Sequence, residues 1–75
     1  MKYIRCKHRG IFIFPLNIDH SKMASWVGEK SIISAGFVKY DYKKEHFVCE
    51  GHSMTLDMSS LPEDTEILLE QGLFC

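Results

Sequence analysis

Two short patterns in the chain combine cysteine with histidine at spacings that could bind a metal ion. Cys6 and His8 form a Cys-x-His pair, and Cys49 and His52 form a Cys-x-x-His pair. Two thiolates and two imidazoles are a ligand set of structural zinc sites, and zinc would stabilise so short a chain. Positions three apart on a flat strand point to opposite faces, although Gly51 would allow a turn. A zinc-stabilised module is therefore one alternative, and two small buried cysteines are the other.

Thiol, hydroxyl and imidazole groups that could support nucleophilic catalysis also occur close together. Cys49, His52 and Ser53 are near neighbours in sequence, and His46 and His20 would supply further bases. A catalytic triad also needs an orienting acid and an oxyanion hole inside a pocket. The sequence contains no nucleophile elbow and no glycine-rich phosphate loop, and 75 residues rarely enclose such a pocket. We therefore expect no enzyme activity and no cofactor.

The first ten residues are strongly basic, which could serve nucleic-acid binding. They contain Lys2, Arg5, Lys7 and Arg9 and no acid, whereas the last fifteen residues contain four acids and no Lys or Arg. A domain that depends on phosphate contacts is usually basic overall, but the net charge here is -1. Nucleic acid is therefore an alternative partner. In the other interpretation these charges are solvated and protect a sheet edge, or they complement the acidic end of the chain.

Aromatic and basic residues of the kinds enriched at protein interfaces occur in the middle of the chain. Tyr40 and Tyr42 share one face of a predicted strand and are followed by Lys43 and Lys44. Trp26 lies beside the apolar face of a predicted helix. Tryptophan and tyrosine are enriched among the residues that dominate binding energy. We predict that these five residues form a surface that binds another protein.

The elements that would position these residues begin with two β-hairpins. Residues 31–42 and 46–56 are rich in β-branched and aromatic side chains and flank the polar turn Lys43-Lys44-Glu45. This pattern is typical of two antiparallel strands. Residues 3–7 alternate in polarity and residues 11–14 are continuously apolar, which predicts a first hairpin.

One short helix is predicted after each hairpin. The first would begin with Asp19 as its N-cap and end at Gly28. The second would begin with a capping box formed by Ser60 and Glu63 and end at Gly72. The order is therefore β-β-α-β-β-α. We predict an α+β fold with a four-stranded, mainly antiparallel sheet and both helices packed on one face.

Length and composition indicate a single domain over residues 1–75. Apolar residues make up 45% of the chain, which is enough for one core and argues against disorder. No apolar run approaches the roughly 20 residues of a membrane span. Three cysteines are an odd number for a small secreted scaffold. We therefore expect a cytoplasmic protein without membrane contact, and small sheets with exposed edges also suggest a homodimer.

Several short motifs between His20 and Leu69 together cover about half of the chain. They are His20, Ser34-Ala35-Gly36-Phe37-Val38, Gly51-His52-Ser53-Met54-Thr55-Leu56, Ser59 or Ser60, Pro62-Glu63-Asp64 and Leu68-Leu69. In these motifs the chain resembles a family of short, uncharacterised phage and prophage proteins. The resemblance implies an accessory protein in the host cytoplasm and assigns no activity or site. Such proteins commonly bind and redirect or inhibit host machinery, including defence systems such as CRISPR, so the expected partner is a host or phage protein.

Overall fold

The structure is a computed structural model that describes residues 1–71. In chain order its elements are β1 (Lys2–Cys6), β2 (Gly10–Phe14), α1 (His20–Val27), a 3₁₀ turn (Glu29–Ser31), β3 (Ile32–Asp41), β4 (His46–Glu50), β5 (His52–Ser53), β6 (Met58–Ser59) and α2 (Asp64–Gln71). The predicted end of the second helix at Gly72 lies outside the described residues.

Four strands form one antiparallel sheet in the order β2-β1-β3-β4. The central strands are β1 and β3, and the edge strands are β2 and β4. Helix α1 connects β2 to β3 and so passes across β1. The predicted α+β class, the two hairpins each followed by a helix, and the four-stranded antiparallel sheet are confirmed.

The second strand of the central hairpin is shorter than predicted. It ends at Glu50, because Gly51 has a φ of +79°, a left-handed conformation that glycine adopts without steric cost. The chain then leaves the sheet, and β5 pairs with β6 in a separate two-stranded ribbon. This ribbon contributes Leu56 and Met58 to the core on one face of the main sheet.

The two helices lie on opposite faces of the sheet, so the prediction that both pack on one face is wrong. Consecutive strand residues point to opposite faces, yet Tyr3 and Ile4 of β1 are both completely buried. Ile4 packs in one cluster with Ala24 of α1, whereas Tyr3 packs in another with Leu68 of α2. A central strand that is apolar on both faces needs cover on both. We call these sides the α1 face and the α2 face.

Both boundaries of α1 agree with the predictions, whereas the start of α2 does not. Gly28 follows α1 with a φ of +121°, as its predicted stop. Asp19 occupies the N-cap position, but its side chain makes no capping hydrogen bond. Helix α2 begins at Asp64, later than the predicted Ser60–Glu63 capping box. The Ser60 amide, which a capping box would pair with Glu63, donates instead to the Gly51 carbonyl at 2.9 Å, and the Glu63 carboxylate accepts from Arg5.

Gly36 allows the ring of Tyr3 to lie directly against β3. The two residues face each other in the register of β1 and β3. A Cβ atom at Gly36 would collide with the Glu50 carbonyl oxygen and would lie 3.2 Å from Tyr3 Cε1. A larger residue here would therefore displace either β4 or the Tyr3 ring.

Candidate protein-binding surface

Asp41, the last residue of β3, holds the turn between β3 and β4 through hydrogen bonds. Asp41 Oδ1 accepts hydrogen bonds from the backbone amides of Lys43 at 2.9 Å and Lys44 at 3.2 Å. The Glu45 amide donates to the Asp41 carbonyl at 2.8 Å. The hydrogen bond from the Lys44 amide contributes most to lowering the pKa of Asp41. The carboxylate is therefore charged at neutral pH and keeps its hydrogen bonds to the turn. Both lysines project from this turn and are exposed.

Three aromatic rings run from the core to the end of this hairpin. Phe47 packs against the Tyr3 cluster of the α2 face, and its ring centroid lies 5.2 Å from that of Tyr40. Tyr40 in turn lies 4.9 Å from Tyr42, and both ring pairs are edge-to-face, a favourable geometry for aromatic contacts. Tyr42 is 85% exposed. The ring furthest from the core is thus held by a chain of contacts that leads back to it.

Trp26 lies apart from the tyrosines. It is 62% exposed in the last turn of α1, and Lys22 Nζ lies 5.8 Å from its ring centroid. Helix α1 covers the other face of the sheet and ends beside the start of β3, whereas Tyr42 follows the end of β3. The predicted surface therefore divides in two. We call Tyr40, Tyr42, Lys43 and Lys44 the hairpin tip, and Trp26 belongs to a different surface.

A buried polar cluster on the α2 face was not foreseen from the sequence. Asp64 is completely buried at the start of α2. Its carboxylate accepts hydrogen bonds from Tyr3 Oη at 2.5 Å, Arg5 Nη1 at 2.8 Å and the Leu61 amide at 3.0 Å. A buried carboxylate with three donors is well satisfied. The cluster therefore joins the first strand to the last helix, and the two oppositely charged ends of the chain pack together.

The ionisation of this cluster follows from its hydrogen bonds. Burial alone would raise the pKa of Asp64, but the hydrogen bonds from Leu61, Tyr3 and Arg5 outweigh it and lower the pKa. Burial and the bond to Asp64 raise the pKa of Tyr3. The Ser34 hydroxyl is buried beside them and makes no hydrogen bond of acceptable geometry, although it lies near enough to Asp64 to help lower its pKa. The cluster is thus an ionised carboxylate surrounded by neutral and cationic donors.

The groups considered for catalysis are distributed over both faces. His20, His52 and Ser53 line one cleft of about 390 Å³ beside α1, but Cys49 lies on the α2 face. Burial, and secondarily the charge of Asp64, raise the pKa of the Cys49 thiol to about 11, so it is protonated at neutral pH and is a weak nucleophile. The Ser53 hydroxyl accepts from the Leu56 amide at 3.2 Å. The Cys49 thiol therefore lies on the face opposite to the two histidines and the serine of that cleft.

His20 connects α1 to the sheet. Its Nε2–H donates to the Gly36 carbonyl at 2.8 Å, and its ring lies edge-on to Phe14 and Phe37 at 5.5 and 5.4 Å. Burial lowers the pKa of His20, and the charge of Lys2 lowers it further. The imidazole is therefore neutral at pH 7.

The basic residues of the nucleic-acid alternative do not form one surface. Lys2 Nζ donates to the Ile18 carbonyl at 2.9 Å, and Arg5, on the α2 face, is bound to Glu63 and Asp64. Lys7 and Arg9 are exposed in the turn between β1 and β2. Two of the four side chains therefore have partners inside the protein, which leaves Lys7 and Arg9 available at that turn.

The structure separates the four residues of the zinc alternative. Cys6 belongs to the cluster on the α1 face, and Cys49 packs on the α2 face. They pair with opposite ends of β3, Cys6 with Ile32 and Cys49 with Val38. Within residues 1–71 no group of three or more His, Cys, Asp or Glu side chains lies close enough to hold a metal ion. Cys6, His8, Cys49 and His52 therefore do not form the predicted site.

Helix α2 places a polar side chain against each edge strand. Gln71 Oε1 accepts from the Ile11 amide of β2 at 2.8 Å, and Gln71 Nε2 donates to the Ile11 carbonyl at 2.7 Å. Thr65 Oγ1 accepts from the Cys49 amide of β4 at 2.9 Å. Free edge groups are the usual template for pairing with another chain. The sequence argument for a homodimer through sheet edges therefore does not apply at these two positions.

Comparison of the chain with family models, with curated proteins and with solved structures finds no match. Within residues 1–71 no helix is both long enough and apolar enough to cross a membrane.

Proposed function

We propose that this chain is a non-enzymatic binding module that contacts a partner protein through the hairpin tip. The observation that carries the proposal is the exposure of Tyr42, which is 85% accessible although its ring is held edge-on by Tyr40. An exposed aromatic ring gains most from being buried by a partner.

Contacts within the chain support the tip in the absence of a partner. Hydrogen bonds to Asp41 hold its backbone, and its rings contact one another edge-to-face back to Phe47. Side chains that are already fixed lose little conformational entropy on binding, so more of the contact free energy contributes to affinity. Lys43 and Lys44 add two exposed ammonium groups beside the rings. Exposed Glu45 follows the two lysines in the same turn, so a complementary partner surface would offer an apolar pocket for Tyr42 and carboxylates only opposite Lys43 and Lys44.

The resemblance to phage and prophage proteins supports a partner from the host cell. We propose an accessory protein that binds a host protein, or a component of a defence complex such as CRISPR, and modulates or inhibits it. This biological role rests on the resemblance alone, whereas the binding surface rests on the geometry of the tip.

The test compares variants of the tip with a variant of the separate Trp26 surface. Tagged wild-type protein, Tyr42→Ala, Lys43→Gln/Lys44→Gln and Trp26→Ala are used to capture partners from a host lysate, and the captured partner is then purified and titrated. We expect Tyr42→Ala to weaken affinity about 30-fold, which corresponds to about 2 kcal/mol, while Trp26→Ala has little effect. All variants should unfold at the same temperature as the wild type, because their side chains are exposed. Equal affinity of the wild type and both tip variants would exclude the tip as the contact surface.

A further inference from the structure

A groove of about 1000 Å³ lies between the β1–β2 turn and the C-terminal end of α1. Its floor contains the apolar side chains of Cys6, Val27 and Met58. Exposed His8 and Arg9 lie on one side, in the β1–β2 turn, and exposed Glu29 and Lys30 lie on the other, in the 3₁₀ turn. The groove thus combines an apolar floor with one basic wall and one wall of mixed charge, at the end of the sheet opposite to the hairpin tip.

The lining of this groove carries a net positive charge. Arg9 and Lys30 are cationic, and Glu29 is the one acidic side chain that lines it within the described chain. The neighbouring Arg5 is neutralised by Glu63 and Asp64, whereas neither Arg9 nor Lys30 makes an ion pair within residues 1–71. Uncompensated charge beside a concave surface attracts ligands of the opposite sign.

We propose that this groove binds an acidic peptide segment of a partner protein, with one large apolar side chain on the floor and carboxylates at Arg9 and Lys30. The rim residues are all exposed, so the groove is open along its length. An open groove suits an extended segment better than a small molecule, which usually needs a site that encloses most of its surface. Charge complementarity selects the acidic segment, and the apolar floor selects its central side chain.

This site is independent of the hairpin tip, because the two lie at opposite ends of the sheet. Trp26, the single tryptophan of the chain, is in the same helical turn as Val27 and is exposed. Its fluorescence therefore offers a local signal for occupancy of the groove.

The experiment uses three short peptides with blocked ends and the chain of residues 1–75. The first is Asp-Glu-Phe-Glu-Asp, the second replaces Phe by Ser, and the third is Lys-Lys-Phe-Lys-Lys. We expect the first peptide alone to change Trp26 fluorescence and to shift the backbone amide resonances of Arg9, Lys30 and Met58. Binding should weaken as salt is added, because the rim charges are exposed.

Each of two matched variants removes two positive charges, one variant at the groove and the other at the hairpin tip. Arg9→Gln/Lys30→Gln should raise the dissociation constant of the acidic peptide about tenfold at low salt, and Lys43→Gln/Lys44→Gln should leave it unchanged. Equal binding of the acidic and basic peptides, or shifts confined to the hairpin tip, would overturn the proposal. Shifts that depend on protein concentration without any peptide would also overturn it, because a second copy of the chain would then occupy the groove. None of these outcomes depends on the partner of the hairpin tip.

Discussion

The two faces of the sheet are held by different kinds of interaction. On the α1 face, Ile4, Phe14, Ala24 and Ala35 form a buried cluster of apolar side chains. On the α2 face, the apolar side chains surround the carboxylate of Asp64 and its donors. Apolar packing dominates the first face, where His20 adds one buried hydrogen bond from α1 to the sheet. On the second face, three hydrogen bonds converge on the buried carboxylate of Asp64 and fix the start of α2 against β1.

Apolar contacts and hydrogen bonds to a buried charge respond differently to small changes in side-chain shape. Apolar contacts are non-directional, so a core tolerates a change of shape that keeps its volume. A buried charge must keep its partners, since a lost donor leaves an uncompensated group in a medium of low dielectric constant. Near-isosteric substitutions should therefore separate the two faces clearly.

The largest expected difference comes from Asp64→Asn compared with Ile4→Val. The asparagine has nearly the same volume but turns an amino group toward one of three hydrogen-bond donors and removes the charge that balances Arg5. We expect a loss of about 3 kcal/mol in the free energy of unfolding. Ile4→Val on the α1 face should cost about 1 kcal/mol. Urea denaturation measures both, and equal losses would show that the polar cluster is no more demanding than the apolar one.

The dependence of stability on pH should distinguish the two faces, because His20 and Asp64 titrate in different pH ranges. On each face the native state binds fewer protons than the unfolded chain, because the pKa of His20 and that of Asp64 are both lowered by folding. The contribution of His20 is present above its ordinary pKa of 6.5 and is lost as the pH falls below it. That of Asp64 is present above its ordinary pKa of 3.8 and is lost as the pH falls through its lower folded value.

Unfolding free energies measured from pH 8 to pH 3 test this order. We expect a first decline below about pH 6.5, with a slope of at most about 1.4 kcal/mol per pH unit from one group, and a second below about pH 4. In His20→Gln the first decline should be reduced while the second persists. A first decline of unchanged slope in that variant would show that His20 is not its source.

The smallest expected effect concerns the contacts by which α2 covers the sheet edges. Gln71→Ala removes two hydrogen bonds to Ile11, and because Gln71 is exposed the loss should be about 1 kcal/mol or less. The amide of Ile11 should exchange with solvent about fivefold faster. Thr65→Val is the matched variant for the other edge, where the Cys49 amide should respond instead. Unchanged exchange at both amides would mean that these side chains do not protect the edges.

Much of the fold followed from local patterns in the sequence. Alternation and β-branched residues predicted four strands and both hairpins, and Gly28 marked the end of the first helix. The exposed tyrosines of the hairpin tip were also predicted, because Tyr40 and Tyr42 share a strand face and are followed by a polar turn. These features depend on neighbours in sequence, so they could be read from the chain.

The chain's local patterns were enough to predict the four strands of the main sheet, the two helices, the order of these six elements and an aromatic end to the second hairpin. The tertiary structure alone decided that the helices take opposite faces, that Trp26 lies apart from the tyrosines, and that Cys6 and Cys49 cannot share a metal ion. It also brought Tyr3 to Asp64, 61 positions away along the chain. Which face a helix covers depends on the direction in which the chain crosses the sheet after each hairpin, and no local pattern encodes that direction.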